Sequence, residues 1–331
     1  MIEKGVAGGF LPTTSCWVIT EAAIGMQNQA MGLAEALALP YVYKTVIRPK
    51  HFWQHLSLED QGFVPPWPDL LISCGRLSAI VSRDIRKKSA GKTFTVHIQD
   101  PLIPPQYFDA LIVPEHDKLR GDNVLVTQGA IHRVTPEKLM NGANQVRPLL
   151  ASLPRPLICV LVGGKNRHQQ FTSSILYDFA NKLIIAAKNT GGGLAITPSR
   201  RTGAENEEKL KQYIQEIPAF IWDGQGENPY FGMLSLADAI VVTSDSISMI
   251  SEVCSTGKPV YVYDLPRAGK RHRRFLENLM RSGMARSFSG AIETWTYQPL
   301  KDTQQAADFV RDRFLARTQG MPAMQPEESL K

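Results

Sequence analysis

Residues 241–266 read VVTSDSISMISEVCSTGKPVYVYDLP. The order of chemistries predicts strand, turn, helix, strand. An apolar run ends at Thr243, and Ser244, Asp245 and Ser246 then supply side-chain oxygens suited to a helix start. Small and apolar residues follow, with Ser248 and Glu252 among them; Gly257 stops the helix and Pro259 opens a second apolar run. Two strands joined through a helix rather than a hairpin turn form the unit of a parallel sheet.

The alternation continues outward. Strands are expected at 157–162, 193–197, 219–222, 239–243 and 259–263, with helices at 172–188, 205–215, 230–237, 248–255 and 271–281. The first half repeats it, with strands at 16–20, 41–47, 70–73, 93–98, 110–113 and 124–127 and helices at 26–39 and 76–88. Between the halves, 136–156 is polar and proline-bearing and reads as a connection with one short helix. The expected class is α/β, two Rossmann-like domains facing a cleft. The expected division is 1–140 joined by a C-terminal helix at 303–317, a linker at 141–156, a second domain at 157–302 and a flexible tail at 318–331. In such sheets ligands bind beyond the carboxyl ends of the strands.

Composition sets limits. A chain of 331 residues suits two domains at about 100–200 residues each. With 43% hydrophobic and 21% charged residues it is not a disordered sequence. Apolar runs are strand length, too short to span a bilayer. The first residues show neither a secretory nor a transit pattern, and four cysteines without a C-x-x-C pair read as free thiols, so a cytoplasmic setting is expected. A net charge of +6 favours anionic partners, but no nucleic-acid module is recognisable.

Three basic clusters follow expected strands of the second half. They are Gly163-Gly164-Lys165-Asn166-Arg167-His168, then Arg200-Arg201, then Arg267 with Lys270, Arg271, Arg273 and Arg274. Paired glycines allow close backbone approach, and a helix start offers free N–H groups to a phosphate. The plainer alternative is a set of βα turns with solvated bases. In the first half His97, Asp100, Glu115, His116, Asp117 and His132 lie at or beyond expected strand ends. They suit a general base or a divalent metal; otherwise His97 is a core residue and the rest are loop polars. His51, Trp53 and His55 suggest a weaker lipid or acceptor contact.

The pattern Ser248, Ser251-Glu252, Gly257-Lys258-Pro259 resembles the nucleotide-sugar-binding stretch of GT-B glycosyltransferases. Across most of the chain, Gly25-x-x-Asn28-Gln29, 97–101 (HIQDP), 114–117 (PEHD), 129–135 (GAIHRVT) and 243–249 (TSDSISM) resemble the mitochondrial-fission ELM family. The resemblance implies a GT-B fold and a nucleoside-diphosphate sugar as partner. It implies that Glu252 holds the ribose and that the diphosphate is received at Gly163 and Gly164; the residues' own chemistry adds Lys165, Arg167, Arg200, Ser244, Asp245, Ser246, Ser248, Arg271 and Arg274 as nucleotide- or phosphate-binding groups. A lipid or envelope-glycan acceptor, peripheral contact with the inner membrane, and neither metal nor cofactor follow from the same likeness. The usual Gly-Gly-x-Gly-Gly-His loop is replaced by 22–29 (AAIGMQNQ), without histidine. Catalytic groups are therefore expected at Asp100, Glu115 and His116, with Gly25, Asn28, Gln29, His97 and His132 lining the first domain's side of the cleft. A non-catalytic scaffold working as adaptor or membrane-division factor, and a sugar-nucleotide epimerase, are the alternatives.

Overall fold

The computed structural model of the protein describes residues 10–11, 13–48, 57–165, 169–318 and 320. One unit runs to Arg133 and takes the chain back from Lys301; the other is Val134–Leu300. The first contains β1 (Cys16–Thr20), α1 (Ile24–Ala36), β2 (Tyr41–Thr45), β3 (Leu70–Cys74), α2 (Arg76–Lys88), β4 (Phe94–Ile98), β5 (Ala110–Pro114) and β6 (Val124–Thr127). The second contains α3 (Pro136–Leu150), β7 (Leu157–Val162), α4 (Ser173–Thr190), β8 (Gly193–Pro198), α5 (Ala204–Tyr213), β9 (Ala219–Ile221), α6 (Tyr230–Leu236), β10 (Ala239–Thr243), α7 (Ile247–Cys254), β11 (Val260–Tyr263), α8 (Lys270–Arg281) and β12 (Ala285–Ser287). The chain then returns to the first unit as α9 (Asp302–Thr318).

Each unit is a six-stranded sheet with every neighbouring pair parallel. The first is ordered β2-β1-β3-β4-β5-β6 and the second β12-β11-β10-β7-β8-β9. Parallel strands covered on both faces read as continuous apolar runs. In β3, Leu70, Ile72 and Cys74 belong to one core cluster with Leu33 of α1, Leu37 just after it, and Val310 and Phe314 of α9, while Leu71 clusters with Val81 and Ile85 of α2. In β7, Leu157, Cys159 and Leu161 face the cluster holding Val146, Met233, Ile250 and Phe275. Ile158, Val160 and Val162 face Leu176, Phe179 and Leu183 of α4.

The stretch read as a linker is a helix of fifteen residues. Thr135 caps it, its Oγ1 accepting from the Lys138 N–H at 3.2 Å, and Pro136 occupies the first turn. Val146 and Leu150, four residues apart, enter the second unit's core, so the polar residues mark only its exposed face. Gly142 and Gly232 let α3 and α6 meet, since a Cβ on either would strike the other helix's backbone. The three-residue edge strand β12 was not expected from the sequence. No described helix is long and apolar enough to cross a membrane.

α9 is fastened by a buried carboxylate. Asp302 accepts from the Gln128 and Gly129 N–H groups at 2.9 and 2.8 Å, and burial pushes its pKa up. Beneath α2 the first sheet buries His97, whose Nδ1 lies 2.9 Å from Ser73 Oγ and whose ring is 5.2 Å from that of Phe108. Burial lowers its pKa to about 3, and that of the buried His132 to about 4.

Both folded values lie below the unfolded value of about 6.5. Below that pH the unfolded chain takes up protons that the native state refuses. Stability is therefore full above pH 6.5 and lost as the pH falls, by up to about 1.4 kcal/mol per pH unit per histidine. Urea unfolding of wild type and His97→Gln at pH 7, 6 and 5 should give a clearly smaller slope for the variant. Equal slopes would contradict a neutral, buried His97.

Candidate functional site

Because all strands in a unit are parallel, their carboxyl ends share one edge. In the second unit the chain builds from β7 through β8 to β9, then crosses to β10, β11 and β12 on the other side. β7 and β10 are therefore neighbours where the order reverses, and the loops leaving them diverge. Gly163 leaves β7 and Ser244-Asp245-Ser246 leaves β10.

A hydrogen-bonded network joins these loops. Thr243 Oγ1 accepts from the Gly163 N–H at 2.8 Å and donates to Asp245 Oδ1 at 2.6 Å. Asp245 Oδ2 pairs with Arg201 Nη2 at 2.7 Å; the aspartate side chain is fully buried and the arginine 40% exposed. Thr202 Oγ1 donates to the carbonyls of Val162 and Gly163 at 2.9 and 2.7 Å. Ser244 Oγ donates to Asp264 Oδ1 at 3.0 Å and accepts from the Leu265 N–H and Gln169 Nε2 at 2.8 and 3.2 Å. Ser246 caps α7, its Oγ accepting from the Met249 N–H at 3.4 Å. Gly163 and Gly164 have a packing role within this network: a Cβ would land on the Asp245 carboxylate or on the Arg201 carbonyl.

The basic residues spread along the same edge. Lys165 and Arg200 are exposed beyond β7 and β8, and Arg271 and Arg274 are exposed on α8, beyond β11. Arg167, with Asn166 and His168, lies outside the described residues. In the β8 turn the ion pair belongs to Arg201, not Arg200. α8 opens with Lys270, Arg271, Arg273 and Arg274, no acidic residue in its first turn and no side-chain cap at Gly269. Cations at a helix N-terminus oppose the macrodipole, so this arrangement favours anion attraction over helix stability. His272 of that turn hydrogen-bonds the Ser244 backbone, which brings α8 onto the β10 loop; burial dominates and lowers its pKa.

Glu252 is 8% exposed on α7, half-buried Ser248 one turn before it. The Tyr230 hydroxyl donates to Glu252 Oε2, and burial raises the carboxyl to about 7 despite that bond. Sequence reasoning missed Tyr230, Gln169, Asp264 and His272. Their partners are distant in the chain and no spacing rule links them.

In the first unit Gly25, Asn28 and Gln29 lie on α1. Gln29 is buried, its Nε2 donating to the Gly25 carbonyl at 3.2 Å and its Oε1 accepting from Gln99 Nε2 at 3.4 Å. Asp100 Oδ1 accepts from the Leu102 N–H at 2.9 Å in a tight turn. Gln99 and Leu102 around it have φ of 80° and 57°, a left-handed backbone costing of order 1 kcal/mol or more per residue. Half-buried Glu115 and His116 and buried Asp117 follow β5, the strand beside β4, so they share that part of the edge with Asp100. His97 does not join them, because its ring is enclosed against Ser73 and Phe108. His132 is buried beside α9, its backbone N–H donating to Thr303 Oγ1 at 3.1 Å. Among the described residues no group of three or more His, Cys, Asp or Glu could hold a metal ion. His51, Trp53 and His55 lie outside the described residues.

The model of the "Mitochondrial fission ELM1" family matches residues 24–314. Mitochondrial fission protein ELM1 of Arabidopsis thaliana is 32% identical over 289 residues, which are 79% of this chain and 67% of that protein. A crystal structure of UDP-N-acetylglucosamine 2-epimerase aligns with TM-score 0.58 at 12% identity, over 96% of this chain and 99% of that one. UDP-GlcNAc 2-epimerase of Neisseria meningitidis bound to UDP-GlcNAc aligns with TM-score 0.51 at 12% identity, over 91% and 94%. At this identity the structures establish the fold alone, which is the GT-B type.

Gly163→Ala tests the packing at the strand-order reversal. A methyl group against the Asp245 carboxylate should destabilise the protein by about 1–3 kcal/mol. Thermal unfolding reads the change, and a melting temperature equal to wild type would show that the loops do not close as described.

Proposed function

The chain belongs to the mitochondrial fission ELM1 family, and from that premise we propose that its second unit binds a nucleoside-diphosphate sugar whose sugar is transferred to an acceptor hydroxyl, in a cell-envelope lipid or glycan. The observation that carries this reading is the Asp245–Arg201 network with exposed Lys165, Arg200, Arg271 and Arg274 in the loops and helix start beyond the strand ends of one sheet, with Glu252 on α7, the helix that leaves the same β10 loop. A parallel α/β sheet binds ligands there. The Neisseria epimerase of like fold is described with UDP-GlcNAc.

In this reading Glu252 accepts from the ribose. The cations stabilise negative charge that grows on the departing diphosphate. The acceptor oxygen forms its bond to the anomeric carbon as the bond to the diphosphate oxygen breaks. Its proton passes to a carboxylate or imidazole of the first unit, for which Asp100, Glu115 and His116 are the assigned groups. The second reading is a scaffold that binds the nucleotide without transfer. The enclosure of His97 and His132 favours it, as does the name of the plant relative.

Calorimetry with a panel of nucleotides tests the reading. Diphosphates should bind more tightly than monophosphates, and long DNA weakly with a steep salt dependence. Glu252→Ala should weaken the best diphosphate by about 1–3 kcal/mol, the value of hydrogen bonds to a charged acceptor. An unchanged affinity removes Glu252 from the site. Turnover of supplied sugar nucleotides with cell-lipid extract separates transferase from scaffold. If transfer is found, Asp100→Asn should lower kcat and leave nucleotide affinity near wild type.

A further inference from the structure

Glu252 and Tyr230 come from different helices and meet at the inner face of α7. Tyr230 is held independently of the glutamate. Its N–H donates to Asn228 Oδ1 at 3.0 Å, its ring stands 5.6 Å from that of Phe231 in an edge arrangement, and it packs against the second unit's core. The hydroxyl therefore reaches Glu252 from a fixed base. It donates to Oε2; among the described residues no donor reaches Oε1.

We propose that Tyr230 is a positioning residue for ligand recognition. Its hydroxyl occupies Oε2 and leaves Oε1 to accept from a single ligand hydroxyl instead of chelating a diol. The proposal rests on the nucleotide-sugar reading of this site. It deepens that reading into a specificity: one of the two ribose hydroxyls is recognised through Glu252 and the other is not.

The ionisation of the pair supports the geometry. The carboxyl is pushed to about 7 by burial, with the Tyr230 bond acting in the opposite, lowering direction. Burial and the adjacent carboxylate raise the Tyr230 phenol well above its ordinary value, so it remains a donor. The other titratable group facing the pair is Cys159 of β7, with Lys258 acting on that thiol in turn; burial pushes Cys159 to about 12 and it stays neutral. Cys254 on α7 itself is likewise pushed to about 12. Among the described residues no cation compensates the carboxylate when the phenol is removed, so Tyr230→Phe should raise the carboxyl pKa.

Two measurements on the full chain test this. The first is a carboxyl-carbon NMR titration of Glu252 without ligand, in wild type and Tyr230→Phe. The midpoint should move up in the variant by about one pH unit, the equivalent of a tenfold change in proton affinity. The second is calorimetry with UDP, 2′-deoxy-UDP and 3′-deoxy-UDP between pH 6 and 9. The variant's affinity should be about tenfold weaker than wild type at pH 6 and converge with it near pH 9, because Glu252 is then ionised in both. One deoxy analogue should bind within about twofold of UDP and the other about tenfold more weakly, the size of one hydrogen bond to a charged group. A Tyr230→Phe affinity offset that is uniform across pH, or an unmoved Glu252 midpoint, overturns the positioning role. Equal weakening by both analogues overturns single-hydroxyl recognition. Absence of UDP binding by wild type defeats the nucleotide reading instead, and the ligand-free titration still decides what Tyr230 does to Glu252.

Discussion

A buried carboxylate organises the second unit. Asp245 has no exposed side-chain surface, and an ionised group in such a place must be met by donors and opposite charge. The structure meets it with the Thr243 hydroxyl and the Arg201 guanidinium. Each solution binds a further loop, since Thr243 also receives the Gly163 N–H and the Arg201 carbonyl receives the Lys165 N–H at 3.2 Å. Loops leaving β7, β8 and β10 are thereby fixed to one another without a helix or strand passing between them. The two glycines follow as a consequence, because any side chain at 163 or 164 would occupy the space these contacts need.

That constraint leaves cationic groups facing outward. Arg201 gives one side of its guanidinium to Asp245 and keeps two-fifths of its surface in solvent. Lys165 and the first turn of α8 add charge with no acidic neighbour in that turn. A rigid, inward carboxylate and a loose, outward set of bases is a division of labour between holding the edge together and attracting an anion.

The two-sheet α/β plan was legible because strands buried on both faces announce themselves as apolar runs, and their alternation with amphipathic helices leaves few topologies. α2 falls at the expected bounds for the same reason. In the sequence α3 reads as one short helix in a connection rather than as a fifteen-residue core helix, because its exposed face is polar and it contains Pro148, so only Val146 and Leu150 speak for burial. The site was legible at the level of loops and not of atoms. Spacing placed Ser244, Asp245 and Glu252 on one βα unit but carried nothing about Tyr230, which lies 22 residues away and contributes through a single hydroxyl. His97 shows the opposite error: a histidine near a strand end looks available in one dimension, while the residue that occupies its Nδ1, Ser73, is supplied by the neighbouring strand.

The return of α9 to the first sheet sets an order of assembly. Phe314 completes an aromatic cluster with Phe10 and Phe94, at ring separations of 5.1 and 5.5 Å, so α9 shares one core with residues far earlier in the sequence. During synthesis the first unit has its six strands and α1 before α9, which packs on β5, β6 and α1, has been made. The second unit, continuous from Val134 to Leu300, has all its parts earlier. The nascent protein thus carries a second unit with all its elements while the first still lacks α9, and chaperone engagement or premature termination would act on the apolar surface of β5, β6 and α1 that α9 later covers.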